Sequence, residues 1–228
     1  MEGPTVSQDD VILTFNYDVS LERELTKFAK WDIRTGYGFP VAGNGGQSLV
    51  TLLKLHGSTN WTWLPADGSS NPGSSGAISI PLLHSCPSIA PEEFCFLGYA
   101  SLQDPEYVSH HLMINGFILP YLRKEFYEGS SLGREGISFW NSLWDKGAVA
   151  LERAQEVVIL GYSMPIADCR ARNLIFSRAN RTVPVTVCSG NDTDSVCNLL
   201  HERRFASVRP ANVRRFEEFV KEHEYDCE

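Results

Sequence analysis

Three short apolar runs constrain the fold of this chain most strongly, because polar side chains hardly interrupt them. Residues 11–15 read Val-Ile-Leu-Thr-Phe, residues 49–55 read Leu-Val-Thr-Leu-Leu-Lys-Leu, and residues 157–160 read Val-Val-Ile-Leu. A strand with one solvated face alternates apolar and polar residues, whereas an uninterrupted run is typical of a strand covered on both faces. The three runs therefore predict strands of a parallel sheet.

Helical spacing of apolar residues occurs between and after the predicted strands. Strands are predicted at residues 11–15, 49–55, 116–119, 156–161 and 183–188. Helices are predicted from apolar stripes at residues 21–28, 137–154, 171–175, 196–200 and 213–220. This alternation predicts an α/β protein with a mainly parallel sheet.

Size and charge narrow the class of protein further. The chain has 228 residues, of which 43% are hydrophobic, so one well-packed domain is expected and a disordered chain is excluded. The motif-bearing core is expected at residues 11–191 and a C-terminal helical segment at 192–228. The net charge of −8 argues against broad binding to nucleic acid or to an anionic membrane. Without a membrane-spanning apolar run or a signal peptide, a soluble cytoplasmic protein is expected.

The cysteines do not have the spacing of a metal site or a disulfide framework. All six are scattered, and no pair has Cys-x-x-Cys spacing, so reduced and mostly buried thiols are expected. His84, Cys86 and Cys95 are irregularly spaced and lack an evident fourth ligand, so we expect no zinc.

Two segments depart from the strand–helix alternation. Residues 58–91 are rich in turn-forming residues and are expected to form a long irregular segment. Residues 170–215 hold nine Lys or Arg against three Asp or Glu. Solvated helix faces explain this excess most simply, and a patch that steers phosphates is the alternative.

Polar residues follow four of the predicted strands. Asn16 and Asp18 follow the first, His56 the second, Ser163 the strand at 156–161, and Asn191 the strand at 183–188. In open α/β sheets ligands bind at the carboxyl ends of the parallel strands. The sequence therefore predicts a ligand site formed by these turns.

Each of these residues also has a purely structural interpretation. Asp18 would cap the following helix, and Asn16 would occupy an unusual backbone conformation at the strand exit. His56 would be a structural histidine whose ring nitrogens are hydrogen-bonded within the fold. Its functional alternative is proton transfer at the ligand-binding edge. Ser163 would cap a helix with Pro165 in its first turn, or its turn would present N–H groups to a phosphate.

Three segments together resemble the sirtuin-like NAD-binding superfamily, in particular its zinc-free branch of NAD-consuming proteins. They are Thr-Phe-Asn-Tyr-Asp at 14–18 with Glu22 following, Lys-Leu-His-Gly-Ser at 54–58 with Asn60 and Trp61, and Val-Ile-Leu-Gly-Tyr-Ser-Met-Pro at 158–165 with Asp168. The segment Ile-Leu-Pro at 118–120, with Lys124, resembles a proline-containing segment between the second and third motifs.

The resemblance implies a Rossmann-like three-layer fold and a role for each turn. It implies that Asn16 contacts the nicotinamide-side ribose and orients the attacking water, that Asp18 organises that turn, and that His56 is the general base. It places Ser163 near the NAD phosphates and Asn191 on the adenosine side, and it includes Gly161 among the cofactor-binding residues.

Two departures from the family pattern affect the expected function. The first strand and the Gly-Ala-Gly-x-Ser loop, which wraps the pyrophosphate, are missing upstream of residue 11, so we expect an open sheet position that a second copy or a partner chain completes. The paired Cys-x-x-Cys motifs of the deacylating sirtuins are also missing, which weighs against protein deacylation.

We therefore expect hydrolysis of NAD to ADP-ribose and nicotinamide. The alternatives are a non-catalytic sensor or scaffold that binds NAD or ADP-ribose, an NAD-dependent deacylase with residues 58–91 around an acyl-lysine, and a structural remnant without a ligand.

Overall fold

The computed structural model is a mixed α/β structure with parallel sheets. It describes residues 10–27, 31–33, 35–39, 48–65, 76–79, 114–117, 133–215 and 218–219. The elements are β1 (Val11–Thr14), α1 (Ser20–Lys27), β2 (Thr51–Lys54), β3 (Gly57–Pro65), β4 (Gly76–Ser79), β5 (Ile114–Phe117), α2 (Gly133–Arg153), β6 (Val157–Leu160), α3 (Cys169–Arg178), β7 (Pro184–Cys188), α4 (Thr193–Glu202) and β8 (Ser207–Pro210). The chain divides into an N-terminal unit, Ser7–Lys146, and a C-terminal unit, Gly147–Glu228.

In the N-terminal unit, β1 and β2 form the parallel pair that their apolar runs predict. Val11 lies opposite Thr51 and Thr14 opposite Lys54. The pairing continues past β2, where the Leu55 N–H donates to the Thr14 carbonyl at 3.1 Å. Because both strands point the same way, their carboxyl ends lie together and carry the Asn16 and His56 turns at one edge.

Aromatic and aliphatic side chains form the core of this unit. Tyr37, Leu52, Leu55 and Trp140 are almost completely buried. The Trp31 ring meets the Tyr37 ring edge-on at 4.8 Å. Burial of such large side chains is the main favourable contribution to folding.

A second sheet in this unit corrects two predictions. β3 pairs antiparallel with β4 and with β5, in the order β4-β3-β5. The expectation of irregular structure is therefore wrong for residues 58–65 and 76–79. The sequence Asn-Trp-Thr-Trp at 60–63 alternates polar and aromatic residues and favours a strand. The strand predicted at 116–119 overlaps β5, but it lies in an antiparallel sheet, and residues 118–119 are outside the described residues.

The C-terminal unit contains a parallel three-stranded sheet in the order β6-β7-β8. β7 is its central strand, with Val185, Val187 and Cys188 buried. The predicted strands at 156–161 and 183–188 and the predicted helices at 171–175 and 196–200 are confirmed as β6, β7, α3 and α4.

The C-terminal segment at 192–228, predicted to be helical, begins with α4 but then contains a strand. β8 lies within it and pairs with β7, with Val208 opposite Val185. Its sequence, Ser-Val-Arg-Pro, is too short and too polar to predict a strand, so pairing with an existing strand accounts for it. Val213 and the next two residues are not helical, whereas Glu218 and Phe219 are.

Coverage of the strands on both faces is confirmed for β2 and is wrong for β1 and β6. Val158 is 45% exposed, Leu160 is 38% exposed and Val11 is 39% exposed. Within the described part of the chain, β6 pairs only with β7. The burial of a strand's face depends on what packs against that face, which an apolar run alone does not reveal.

Among the described residues, no helix has both the length and the hydropathy needed to cross a membrane.

Candidate functional site

The turn after β1 carries Asn16 and Asp18 on its surface. The Asn16 N–H donates to Thr14 Oγ1 at 3.1 Å. Asp18 Oδ1 accepts the Ser20 N–H at 2.9 Å, at the first residue of α1. The capping interpretation of Asp18 thus describes a contact that is present, while both side chains remain exposed at the strand exit.

The pKa of Asp18 lies below its ordinary value. Burial by itself raises this pKa, but hydrogen bonds from Ser20 and the positive charge of Lys54 outweigh that effect. Asp18 is therefore a carboxylate at neutral pH.

His56 follows β2 and is tied to the β1 turn by its own ring. Its Nδ1 lies 3.2 Å from the Phe15 carbonyl oxygen. The ring centroid lies 5.3 Å from that of Phe15, 5.9 Å from that of Tyr17 and 6.0 Å from that of Trp144. His56 is only 2% exposed, so this imidazole is enclosed by aromatic rings.

A buried ion pair lies beneath the same turn. Lys54 Nζ lies 2.7 Å from Glu22 Oε1, and both side chains are at least 97% buried, with exposures of 1% and 3%. The Tyr37 hydroxyl donates to the same Glu22 oxygen at 2.9 Å. Lys54 also donates to the carbonyl oxygens of Tyr17 and Asp18.

Sequence reasoning assigned no role to this pair, although a signal for it was present. Lys54 interrupts an otherwise apolar run, and a charge inside a covered strand requires a buried partner. The sequence does not show which of the acidic residues is that partner.

In the C-terminal unit, the turn after β6 contains Gly161 and Ser163. Gly161 has a φ of +63°, which favours glycine, and its N–H donates to the Cys188 carbonyl at 2.8 Å. A Cβ added there would meet nothing within 4 Å, so the turn is open at that point. Met164 is buried and has a φ of +53°, a strained conformation of the kind that concentrates at functional sites.

Ser163 does not cap a helix. It is exposed, and α3 begins only at Cys169 with Asp168 as its N-cap residue. The Asp168 side chain instead accepts the Tyr162 hydroxyl at 3.3 Å. Burial, followed by the nearby Asp168 carboxylate, strongly raises the pKa of Tyr162, which therefore stays a neutral donor.

The turn after β7 lies beside the Gly161–Ser163 turn. The Ser189 hydroxyl donates to the Tyr162 carbonyl at 3.2 Å, and the Ser189 N–H donates to Thr193 Oγ1 at 2.9 Å. Asn191 lies in the short 3₁₀ turn Gly190–Asp192 and is exposed. The structure thus brings Gly161, Ser163 and Asn191 to one edge of their sheet.

The predicted site residues therefore form two groups, one in each unit. Asn16, Asp18 and His56 lie at the carboxyl ends of β1 and β2, and Gly161, Ser163 and Asn191 lie at those of β6 and β7. Ile-Leu-Pro at 118–120, Lys124, His84, Cys86 and Cys95 are outside the described residues. Within the described ranges, no group of three or more His, Cys, Asp or Glu side chains is arranged to hold a metal ion.

No model of a known protein family matches this sequence, and no solved structure matches this chain at a significant level.

Proposed function

We propose that this chain is a sirtuin-like domain that hydrolyses NAD to ADP-ribose and nicotinamide. His56 is the general base and Asn16 positions the attacking water. The Rossmann-like fold of the superfamily is part of the proposal. Its support is the resemblance of the strand-exit turns together with one contact, the 3.2 Å between His56 Nδ1 and the Phe15 carbonyl oxygen.

That contact selects the tautomer a general base needs. A carbonyl oxygen only accepts hydrogen bonds, so Nδ1 carries the proton, and in the neutral imidazole Nε2 then carries the lone pair. The same contact joins the imidazole to the residue directly before Asn16. This one hydrogen bond therefore fixes the tautomer of His56 and also holds its ring against the turn that contains Asn16.

The reaction needs a positioned nucleophile and a base more than a strong acid. The bond between nicotinamide and the ribose carbon breaks, and its electron pair stays with nicotinamide, which leaves as a neutral molecule. Water forms the new bond to the ribose carbon and transfers its proton to His56. Asn16 contributes by holding the water in position to attack the oxocarbenium-like ribose carbon.

The direct test is nicotinamide release from NAD by the purified chain. We expect His56→Ala to lower turnover about 10²–10⁴-fold, as loss of a general base does. Asn16→Ala is expected to lower turnover as well. His201→Ala, at an exposed position of α4, is the matched histidine control and should keep wild-type turnover. Undiminished turnover in both Asn16→Ala and His56→Ala would show that the roles assigned to these two residues are wrong.

A binding module is the second candidate, and one observation favours it. His56 is 2% exposed, and an enclosed imidazole suits a structural histidine better than a base that must reach water. In this case the chain binds ADP-ribose and does not turn NAD over. Calorimetry with ADP-ribose alongside the nicotinamide assay separates the two candidates.

A further inference from the structure

Residues 54–58, at the end of β2 and the start of β3, contact the backbone of the turn after β1 through every second side chain. Lys54 contacts the Tyr17 and Asp18 carbonyls, His56 the Phe15 carbonyl at 3.2 Å, and Ser58 the Tyr17 carbonyl at 3.3 Å. All three are buried, with exposures of 2% or less. The backbone on both sides of Asn16 is therefore bound by side chains from one short segment.

Lys54 is the unusual member of this set because it places a charge in the core. A buried ion pair often stabilises a fold no more, and in some proteins less, than well-packed apolar residues of similar volume do. Stability therefore does not explain the lysine, whereas its donors to the Tyr17 and Asp18 carbonyls have a specific effect on the turn.

Glu22 supplies the opposite charge. Its Oε1 accepts both Lys54 and the Tyr37 hydroxyl, at 2.7 and 2.9 Å. Its Oε2 is buried without a hydrogen-bond partner in the described part of the structure. The pair thus joins α1, β2 and the turn.

We propose that Lys54 is a positioning residue, which together with Glu22 holds the 16–18 turn so that Asn16 lies correctly relative to His56. This rests on the proposed NAD hydrolysis. Displacement of a reacting group by about 1 Å costs on the order of 100-fold in rate, so a small shift of this turn is sufficient.

The test uses the charge-neutral pair Lys54→Met with Glu22→Gln. Lys54→Met alone leaves the Glu22 carboxylate buried without its cation, and the double variant removes that source of unfolding. Leu53→Ala is the control for general destabilisation, since Leu53 is buried on the same strand. Each protein is measured for melting temperature, for kcat and KM of nicotinamide release, and for hydrogen exchange of the amides at 15–19.

We expect the folded double variant to lose about 10- to 100-fold in kcat with little change in KM, and to exchange the amides at 15–19 faster while those at 11–14 stay protected. Leu53→Ala should lower the melting temperature without this loss of kcat. A folded double variant with wild-type kcat and wild-type exchange at 15–19 overturns the proposal. If the wild-type chain releases no nicotinamide, the proposed function fails, and the exchange measurement alone still decides whether Lys54 holds the turn.

Discussion

The charge state of Asp18 depends on several neighbouring groups. Its Oδ1 accepts the Ser20 N–H at 2.9 Å, while its own carbonyl accepts a hydrogen bond from Lys54. Burial raises the pKa of this carboxyl, and the Ser20 hydrogen bonds and the Lys54 charge lower it further than burial raises it. The capping and charge interactions therefore both favour the carboxylate form.

The first prediction concerns the dependence of stability on pH. Because the pKa of Asp18 is lower in the folded chain than in the unfolded chain, the carboxylate stabilises the fold above the ordinary value of about 4. This contribution is lost as the pH falls through the folded pKa. We expect Asp18→Asn to lower the free energy of unfolding at neutral pH and to have no effect once the pH is below the folded-state pKa of Asp18, as measured by urea denaturation.

Ser20→Ala is the control, because it removes the hydroxyl donor and should move the pKa of Asp18 up towards its ordinary value in an NMR titration. A pKa of Asp18 at or above its ordinary value in the folded wild-type chain would contradict the prediction that its carboxylate stabilises the fold.

Strand β6 shows that the two faces of one apolar strand can differ in burial. Its four residues, Val157–Leu160, are all apolar. Ile159 is 7% exposed and Leu160 is 38% exposed, so adjacent positions on one strand have different burial. The apolar run predicts the strand correctly and does not distinguish its two faces. Completion of the sheet by a second copy or a partner chain stays a prediction.

The second prediction compares two changes of equal size on β6. We expect Ile159→Ala to cost about 2–5 kcal/mol, as core truncations do, and Leu160→Ala to cost less than about 1 kcal/mol. Equilibrium urea unfolding of both variants, with unchanged slope, measures the difference. Equal losses would mean that both faces of β6 are covered in solution.

At the scale of the whole molecule, each of the two units carries polar turns at the carboxyl ends of parallel strands. The N-terminal unit carries the Asn16 carboxamide and the His56 imidazole, and the C-terminal unit carries the exposed Ser163 and Asn191 side chains and the positive-φ glycines Gly161 and Gly190. That Ser163 lies near the NAD phosphates stays a prediction, and a direct binding test can decide it.

The third prediction is that ADP-ribose stabilises the intact chain. A ligand that binds only the folded state adds about 2.7 kcal/mol at 100 times its dissociation constant, which raises the melting temperature. Ser163→Asp places a negative charge where phosphates are expected and should abolish this shift. Ser177→Asp, at an exposed position near the end of α3, should retain it. An equal shift in both variants would remove Ser163 from the site.

Elements whose signal is local can be predicted from the amino-acid sequence alone. Apolar runs predicted β1, β2, β6 and β7, helical spacing predicted α1 to α4, and polar residues at the strand ends marked both groups of turns. A short polar strand such as β8 was missed, because its formation depends on β7 being there to pair with.

Which distant groups come into contact depends on the tertiary structure. Lys54 and Glu22 are 32 residues apart, and His56 and Phe15 are 41 residues apart. Both contacts depend on the register of β1 against β2, since a slip of one residue turns every side chain of a strand to its other face. Register is set by packing across the whole unit. Lys54, Glu22 and His56 can be read from the sequence, but their proximity appears only in the folded chain.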